Sequence, residues 1–99
     1  MDVAVLQARI AATFGARDRA RGLDGTFRRL VEEVGELAKA IRGSDPQALA
    51  LELSDVVAWT VSVAALSGVD LDRVLGRYDQ GCPRCGASPC KCPLDPSDR

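Results

Sequence analysis

The strongest constraint on the fold is a helical repeat of apolar residues that glycine and proline interrupt. Apolar side chains recur every three or four positions through four segments of the chain, which is the period of an α-helix. No stretch alternates polar and apolar residues for long enough to indicate a strand. The sequence therefore predicts an all-α fold, a subunit like a four-helix bundle, over residues 1–80. Residues 81–99, rich in Cys, Pro and Gly, are predicted to form a separate tail.

Turn-forming residues set the expected limits of the first two helices. The first helix is expected over residues 3–14, and the charged residues 17–22 are expected to form a solvated connection. The second helix should begin near Asp24 or Thr26, because either side chain can accept a hydrogen bond from a free backbone amide. Gly43 should end it, since glycine is common just past a helix terminus.

The third helix is the part of the sequence that predicts assembly. Ser44-Asp45-Pro46 is a helix start signal, and the helix is expected to run to Leu66. Over residues 56–66 it is apolar on almost every side, and a small monomer cannot cover such a surface. We therefore expect a homodimer or homotetramer with this helix near its centre. Asp70 is expected to cap a last short helix that reaches Tyr78.

Composition and charge narrow the range of partners and compartments. The chain has 99 residues, of which 46% are apolar and 27% charged, as in one small globular domain. Its net charge of −1 gives no indication of a nucleic-acid partner. The opening Met1-Asp2 lacks the basic flank of a secretory signal. The apolar run over residues 56–66 is shorter than a membrane span, so a cytoplasmic protein without a membrane partner is expected.

Two pairs of carboxylates are the candidate functional residues. Glu33 and Glu36 on the second helix, and Glu52 and Asp55 on the third, are each three residues apart and so share one face of their helix. If the two helices pack antiparallel, the pairs can face each other, and four carboxylates repel unless a cation joins them. Oxygen ligands of this kind favour hard cations such as Mg²⁺.

The alternative is that these acids are solvated surface residues, as most helical glutamates are. Three observations favour a site: each pair borders the apolar stripe, no basic residue lies within residues 31–38 or 49–58, and the spacing is repeated on consecutive helices. The chain contains no histidine. This excludes a Ser-His-Asp triad, most zinc hydrolase sites and the carboxylate–histidine di-iron site.

The arrangement of these acids resembles a known motif. Residues 26–37 (TFRRLVEEVGEL), followed by residues 52–56 (ELSDV), are similar to the EExxE and ExxD motifs of the MazG-like nucleotide pyrophosphohydrolases. The resemblance extends over about residues 17–78. It implies hydrolysis of a nucleoside triphosphate to a monophosphate and pyrophosphate with Mg²⁺ or Mn²⁺, with clearing of the nucleotide pool as one expected role. Carried over residue by residue, it implies magnesium ligands at Glu33, Glu36, Glu52 and Asp55.

Three other residues are candidates for roles in the reaction. Glu32 is the candidate to orient or deprotonate the attacking water, and an exposed helix acid without a role is an equally common alternative. Arg77 lies near the position of a lysine that binds phosphate in the family, and Arg21 could add positive charge. Both arginines are more often plain surface residues, and the chain has no counterpart to the family's phosphate-binding asparagine.

The tail contains all four cysteines of the chain. Cys82-Pro83-Arg84-Cys85-Gly86 predicts a knuckle in which two thiolates converge, and Cys90-Lys91-Cys92 follows closely. Four thiolates at these spacings can close a tetrahedral zinc site, which would be structural because no ligand position stays open. Redox-labile or disordered cysteines are the alternative. Residues 93–99 are expected to be a frayed end.

Three functions therefore remain open from the sequence. The first is a magnesium-dependent pyrophosphohydrolase, with a nucleoside triphosphate as its partner. The main alternative is a non-enzymatic oligomeric helical module that uses the zinc knuckle to bind protein or nucleic acid. A third is a phosphatase acting on another polyphosphorylated molecule. Metal-dependent release of pyrophosphate would separate the first from the other two.

Overall fold

Three long helices and a short fourth one make up the fold. The computed structural model describes residues 2–94, and within that range it contains no strand, so the all-α prediction is confirmed. α2 packs along α3, and α1 packs mainly on α3 and also contacts α2 and α4. The elements are α1 (Val3–Arg21), α2 (Leu23–Arg42), α3 (Pro46–Leu66), α4 (Leu71–Leu75) and a 3₁₀ turn (Gly76–Tyr78).

The predicted connection between the first two helices was wrong. α1 continues to Arg21, and Gly22 alone joins it to α2 with a φ of +87°, a conformation that favours glycine. The charged segment stays helical because Asp18 is buried and its carboxylate pairs with the Arg21 guanidinium at 2.9 Å. Neither Asp24 nor Thr26 caps α2, which begins earlier and has no side-chain cap. Tertiary packing has overridden a local signal that favoured a loop.

Arg21 links the three long helices. Its guanidinium donates to the Thr26 hydroxyl at 3.1 Å, in addition to its pair with Asp18, and lies 4.9 Å from the centre of the Trp59 ring on α3. A Cβ atom at Gly25 would lie 2.8 Å from Cγ of Arg21, so glycine there makes room for the arginine stem. Thr26 is fully buried. These contacts fix the end of α1 against the start of α2.

The predicted limits of the remaining helices are largely confirmed. α2 ends before Gly43, and the Asp45 carboxylate caps α3 by accepting from the Gln47 amide at 2.9 Å. Since only residues 43–45 join α2 to α3, the two helices form an antiparallel hairpin. Asp70 caps the last helix, accepting from the Arg73 amide at 3.3 Å. That helix is shorter than predicted, because the chain tightens into the 3₁₀ turn before Tyr78.

Much of the apolar surface is left uncovered in a single subunit. The accessible area is 7521 Å², whereas a folded monomer of this mass exposes about 5,400 Å². The radius of gyration is 15.9 Å, against about 13 Å for a compact chain of this length. Of the residues that the structure describes, the buried apolar ones are Ile10, Val61 and Ala64. Many larger apolar side chains are about half exposed, among them Phe27, Val31, Val34 and Ile41 on α2 and Leu51, Leu53 and Val57 on α3.

α3 as a whole also changes the expectation about membranes. Residues 56–66 alone are too short to span a bilayer, but the full helix is long and apolar enough to do so by length and composition. One such helix is weak evidence, because core helices of soluble proteins pass the same test. Asp55 lies at the middle of α3, and a charged residue at the centre of a bilayer costs about 2.5–3.5 kcal/mol. The helix is therefore a poor membrane span.

The structure describes the tail as far as Leu94. Residues 81–94 contain turns and bends without regular secondary structure. The frayed end predicted for residues 93–99 lies mostly outside the described residues.

Candidate functional site

The α2–α3 hairpin brings three of the four predicted metal ligands together. Glu33 of α2 and Glu52 and Asp55 of α3 each offer a carboxylate oxygen, and these oxygens lie within 4.8 Å of one another. This is the arrangement expected when acids one turn apart face each other across an antiparallel helix pair. We call Glu33, Glu52 and Asp55 the acidic triad. It has the all-oxygen donor set that binds hard divalent cations.

The electrostatics of the acidic triad are unfavourable unless a cation is present. Partial burial raises the pKa of the Glu33 carboxyl above its usual value, and a hydrogen bond that protonated Glu33 donates to Glu52, together with the charges of Glu52, Asp55 and Glu36, raises it further. Within the described residues, Oε2 of Glu52 is buried and has no hydrogen-bond partner. Leaving a buried polar atom without a partner costs about 1–3 kcal/mol. A divalent cation would satisfy this oxygen and reduce the repulsion, so the residues present fit such an ion.

Glu36, the fourth predicted ligand, lies beside the acidic triad but outside it. Its side chain is 55% exposed, and one carboxylate oxygen lies 4.0 Å from Nζ of Lys39. Lys39 lies one position beyond residues 31–38, so the absence of basic residues within that segment did not reveal this pair. An exposed ion pair of this length contributes little to stability, and the pair therefore does not fix Glu36 away from the triad.

Glu32, the predicted general base, also lies outside the acidic triad. It is exposed and accepts from the Arg29 guanidinium at 3.1 Å, one turn away on the same helix. Arg29 also lies outside residues 31–38, so the composition of that segment did not reveal this pair either. The catalytic role of Glu32 stays a prediction.

Comparison with known proteins agrees with the motif. Residues 21–79 match the family model described as the MazG nucleotide pyrophosphohydrolase domain, a region that contains the acidic triad, Glu32 and Glu36. The chain belongs to the MazG nucleotide pyrophosphohydrolase family. The resemblance predicted over residues 17–78 is thereby confirmed.

One relative of known activity is also similar to this MazG-family chain. The "dATP/dGTP diphosphohydrolase" of Cyanophage S-2L is 40% identical over 73 residues. The aligned region covers 74% of this chain and 66% of the relative, so the chain spans just under two thirds of that protein's length.

The two arginines predicted to bind substrate lie in different surroundings in this MazG domain. Arg21 is engaged by Asp18, Thr26 and Trp59, and this geometry favours a structural role. Arg77 is exposed on the 3₁₀ turn, with its guanidinium 5.3 Å from the centre of the Tyr78 ring. Arg77 lines a cavity of about 640 Å³ that it shares with the cysteine segment and with no member of the acidic triad. Phosphate binding by either arginine stays a prediction.

The four cysteines form a second cluster, beyond the part of the chain that matches the MazG family. All four are free, and their Sγ atoms lie within 4.8 Å of one another. Cys82 is 3.7 Å from Cys92, and Cys85 is 3.9 Å from Cys90, measured between sulfurs. The structure therefore pairs each cysteine of the first knuckle, residues 82–86, with one of residues 90–92, which we call the second knuckle.

The surroundings of the thiols give them different pKa values. Backbone amides of Lys91 and Ala87 lower the pKa of Cys85 to about 6, since their N–H groups stabilise the thiolate. Neighbouring thiol groups, with Cys90 the largest contributor, raise the pKa of Cys92 to about 12. At neutral pH the cluster thus supplies at least one thiolate, the form that binds soft metal ions.

Proposed function

We propose that this protein hydrolyses nucleoside triphosphates between the α and β phosphates, giving a monophosphate and pyrophosphate. The observation that carries the proposal is the convergence of Glu33, Glu52 and Asp55 within the MazG-matched region, with Oε2 of Glu52 buried and unpaired. The name of the cyanophage relative points to dATP and dGTP as the first substrates to test. Clearing such nucleotides from the pool is the corresponding cellular role.

The acidic triad implies that the reaction depends on a divalent cation. A triphosphate carries several negative charges, and three carboxylates within 4.8 Å would repel it from an empty site. Glu33, Glu52 and Asp55 would hold Mg²⁺ or Mn²⁺, and Glu36 can join them by leaving its weak pair with Lys39. When bound, the ion would neutralise the triphosphate and lower the pKa of a water molecule.

The remaining roles belong to residues outside the acidic triad. Glu32 is proposed to orient the attacking water and to accept its proton, after release from Arg29, to which it is held only by an exposed pair. Arg77 is proposed to contribute positive charge to the phosphates, because its guanidinium is exposed. For Arg21 we propose a structural role and no contact with the phosphates. Its replacement would then affect activity only by changing the position of α2.

A homodimer or homotetramer is proposed as the working form. The subunit exposes roughly 2,000 Å² more surface than a folded monomer of its mass should, which is more than the roughly 800 Å² that each partner buries in a standard interface. The excess includes apolar side chains on α2 and α3, such as Val34, Leu53 and Val57. We also propose a cytoplasmic location without a membrane partner, because Asp55 makes α3 a poor span.

The test is metal-dependent pyrophosphate release from a panel of ribo- and deoxyribonucleoside triphosphates. Wild-type protein should release pyrophosphate with Mg²⁺ and not with excess EDTA. Glu52→Gln should lose most of the activity, whereas Asp24→Asn should retain it, because Asp24 is an exposed α2 acid paired with Arg28 at 3.1 Å. Absence of pyrophosphate with every nucleotide, or equal activity of Glu52→Gln and wild type, would overturn the proposal.

A further inference from the structure

The segment after the 3₁₀ turn has a defined backbone path although it lacks regular secondary structure and a hydrophobic core of its own. Residues 81–94 contain no helix or strand, and the apolar Leu94 is 93% exposed. Segments of this kind without a hydrophobic core of their own are commonly held by a disulfide or a metal ion. The four cysteines lie within this segment.

The cysteines form no disulfide in this structure, and two of the distances between their sulfurs fit a single tetrahedral ion. A disulfide joins sulfurs about 2.05 Å apart, whereas the measured separations are 3.7 Å for Cys82 and Cys92 and 3.9 Å for Cys85 and Cys90. Four sulfurs placed 2.3 Å from a central zinc at tetrahedral angles are about 3.8 Å apart. The two measured distances lie on either side of that value.

The backbone around the cysteines is shaped to bring the sulfurs inward. The Cys82 amide donates to the Ala87 carbonyl at 3.0 Å, and the Gly86 amide donates to the Cys82 carbonyl at 2.7 Å, closing the first knuckle. Gly86 has a φ of +75°, as such a tight turn requires. A Cβ at Gly81 would lie 2.8 Å from the Ala87 carbonyl oxygen, so only glycine allows the chain to pass there.

Backbone amides also point at the sulfurs. The Arg84 amide donates to Sγ of Cys82 at 3.4 Å, and the Cys92 amide donates to Sγ of Cys90 at the same distance. The Lys91 amide donates to Sγ of Cys85 at 3.3 Å. Such N–H groups stabilise thiolates and orient them as ligands, which is the usual supporting role of groups around a metal site.

We propose that Cys82, Cys85, Cys90 and Cys92 bind one Zn²⁺ as a closed structural site that holds the C-terminal segment in place. All four positions are filled by protein, so none is left for water or substrate. The sulfurs are close enough for one ion, and among divalent ions zinc binds such a site more tightly than ferrous iron. The site is chemically distinct from the acidic triad, because thiolates select soft ions and carboxylates select hard ones.

The first experiment measures metal content in the full chain, prepared under reducing conditions with zinc in the medium. Native mass spectrometry and elemental analysis should find one zinc per chain. Cys85→Ser and Cys90→Ser, one from each knuckle, should weaken zinc binding by more than the roughly 10–100-fold that loss of a supporting contact costs. Ser88→Ala, between the knuckles, and Glu52→Gln should leave one zinc bound.

A second measurement on the wild-type protein does not depend on variants that could misfold. Replacing zinc by Co²⁺ should give the intense visible absorption and the thiolate charge-transfer bands of tetrahedral cobalt bound to four sulfurs. Three outcomes would overturn the proposal: bound iron in place of zinc, a mass lowered by the four hydrogens lost in two disulfides, or zinc that Glu52→Gln removes and Cys90→Ser does not. Helical circular dichroism of each variant confirms that the helices remain.

Discussion

Replacing Glu52 by glutamine should make the metal-free protein more stable and the magnesium-loaded protein less stable than wild type. The change keeps the shape of the side chain but removes a charge that lies within 4.8 Å of two other carboxylates. The new amide can also donate to Glu33 or Asp55. Glu52 is partly buried, and its Oε2 atom has no partner within the described residues.

The size of the metal-free effect follows from two estimates. At 4.8 Å, the upper limit of the separations within the acidic triad, and at an effective dielectric constant of about 20, a like-charge pair costs roughly 3.5 kcal/mol, which solvent exposure reduces. A buried unpaired oxygen costs about 1–3 kcal/mol. We therefore expect Glu52→Gln to raise the free energy of unfolding by about 1–2 kcal/mol, which is roughly 5–10 °C in Tm for a domain of this size.

In the presence of magnesium, wild type should be more stable than Glu52→Gln. A ligand at 100 times its Kd stabilises the folded protein by about 2.7 kcal/mol, and the wild type should gain this amount while Glu52→Gln gains little. Thermal unfolding followed by circular dichroism, in EDTA and in a magnesium series, measures both effects. Asp24→Asn is the control, because it removes one exposed charge from α2 away from the acidic triad and should respond to magnesium as wild type does.

Two results would refute this reasoning. If Glu52→Gln is no more stable than wild type in EDTA, the acidic triad does not carry the repulsion we assign to it. If magnesium stabilises Glu52→Gln and wild type equally, Glu52 is not a ligand.

Further predictions concern pH, the Arg21 contacts and assembly. The fold raises the pKa of Glu33 above its usual 4.5, so the stabilisation of the metal-free fold by Glu33 is full below that value and is lost as pH rises through the raised pKa. In EDTA, the free energy of unfolding of Glu33→Gln relative to wild type should therefore increase over that pH range. A pH-independent difference would contradict this prediction. Arg21→Ala should lower the free energy of unfolding by about 2–4 kcal/mol by leaving buried Asp18 unpaired, and adding Asp18→Asn should recover part of the loss; equal stability of single and double variants in urea unfolding would count against the pair. Analytical ultracentrifugation at micromolar concentration should show at least a dimer, and a monomer of 10.5 kDa would refute the proposed assembly.

The sequence predicted the helical fold well where a local signal sets the structure. The caps at Asp45 and Asp70 and the stop at Gly43 all lie where predicted, because each depends on a few neighbouring residues. The charged segment 17–22 was assigned wrongly, because residues 17–21 are helical and only Gly22 connects the helices. The helical state of residues 17–21 depends on burial of Asp18 against Arg21 and on the position of Trp59, which a pattern of charges cannot show.

In the candidate sites, too, the sequence predicted what local geometry determines and not what depends on side-chain conformation. Spacing alone placed Glu33, Glu52 and Asp55 on facing helices, since helix geometry is fixed. Whether Glu36 also points inward depends on its rotamer and on Lys39, neither of which the motif specifies. The cysteine spacing likewise predicted a cluster, but the sequence left open which sulfurs lie closest across the two knuckles.

The most direct test of the central claim is a product balance for dATP and dGTP with the wild-type protein and Mg²⁺. Phosphorus NMR of the reaction, with ion-exchange chromatography of the nucleotides, identifies which bond is cut. If the bond between the α and β phosphates is cut, monophosphate and pyrophosphate form in equal amounts. If the acidic triad holds the required ion, Glu52→Gln forms neither product. Diphosphate and orthophosphate from the wild-type protein would contradict the account.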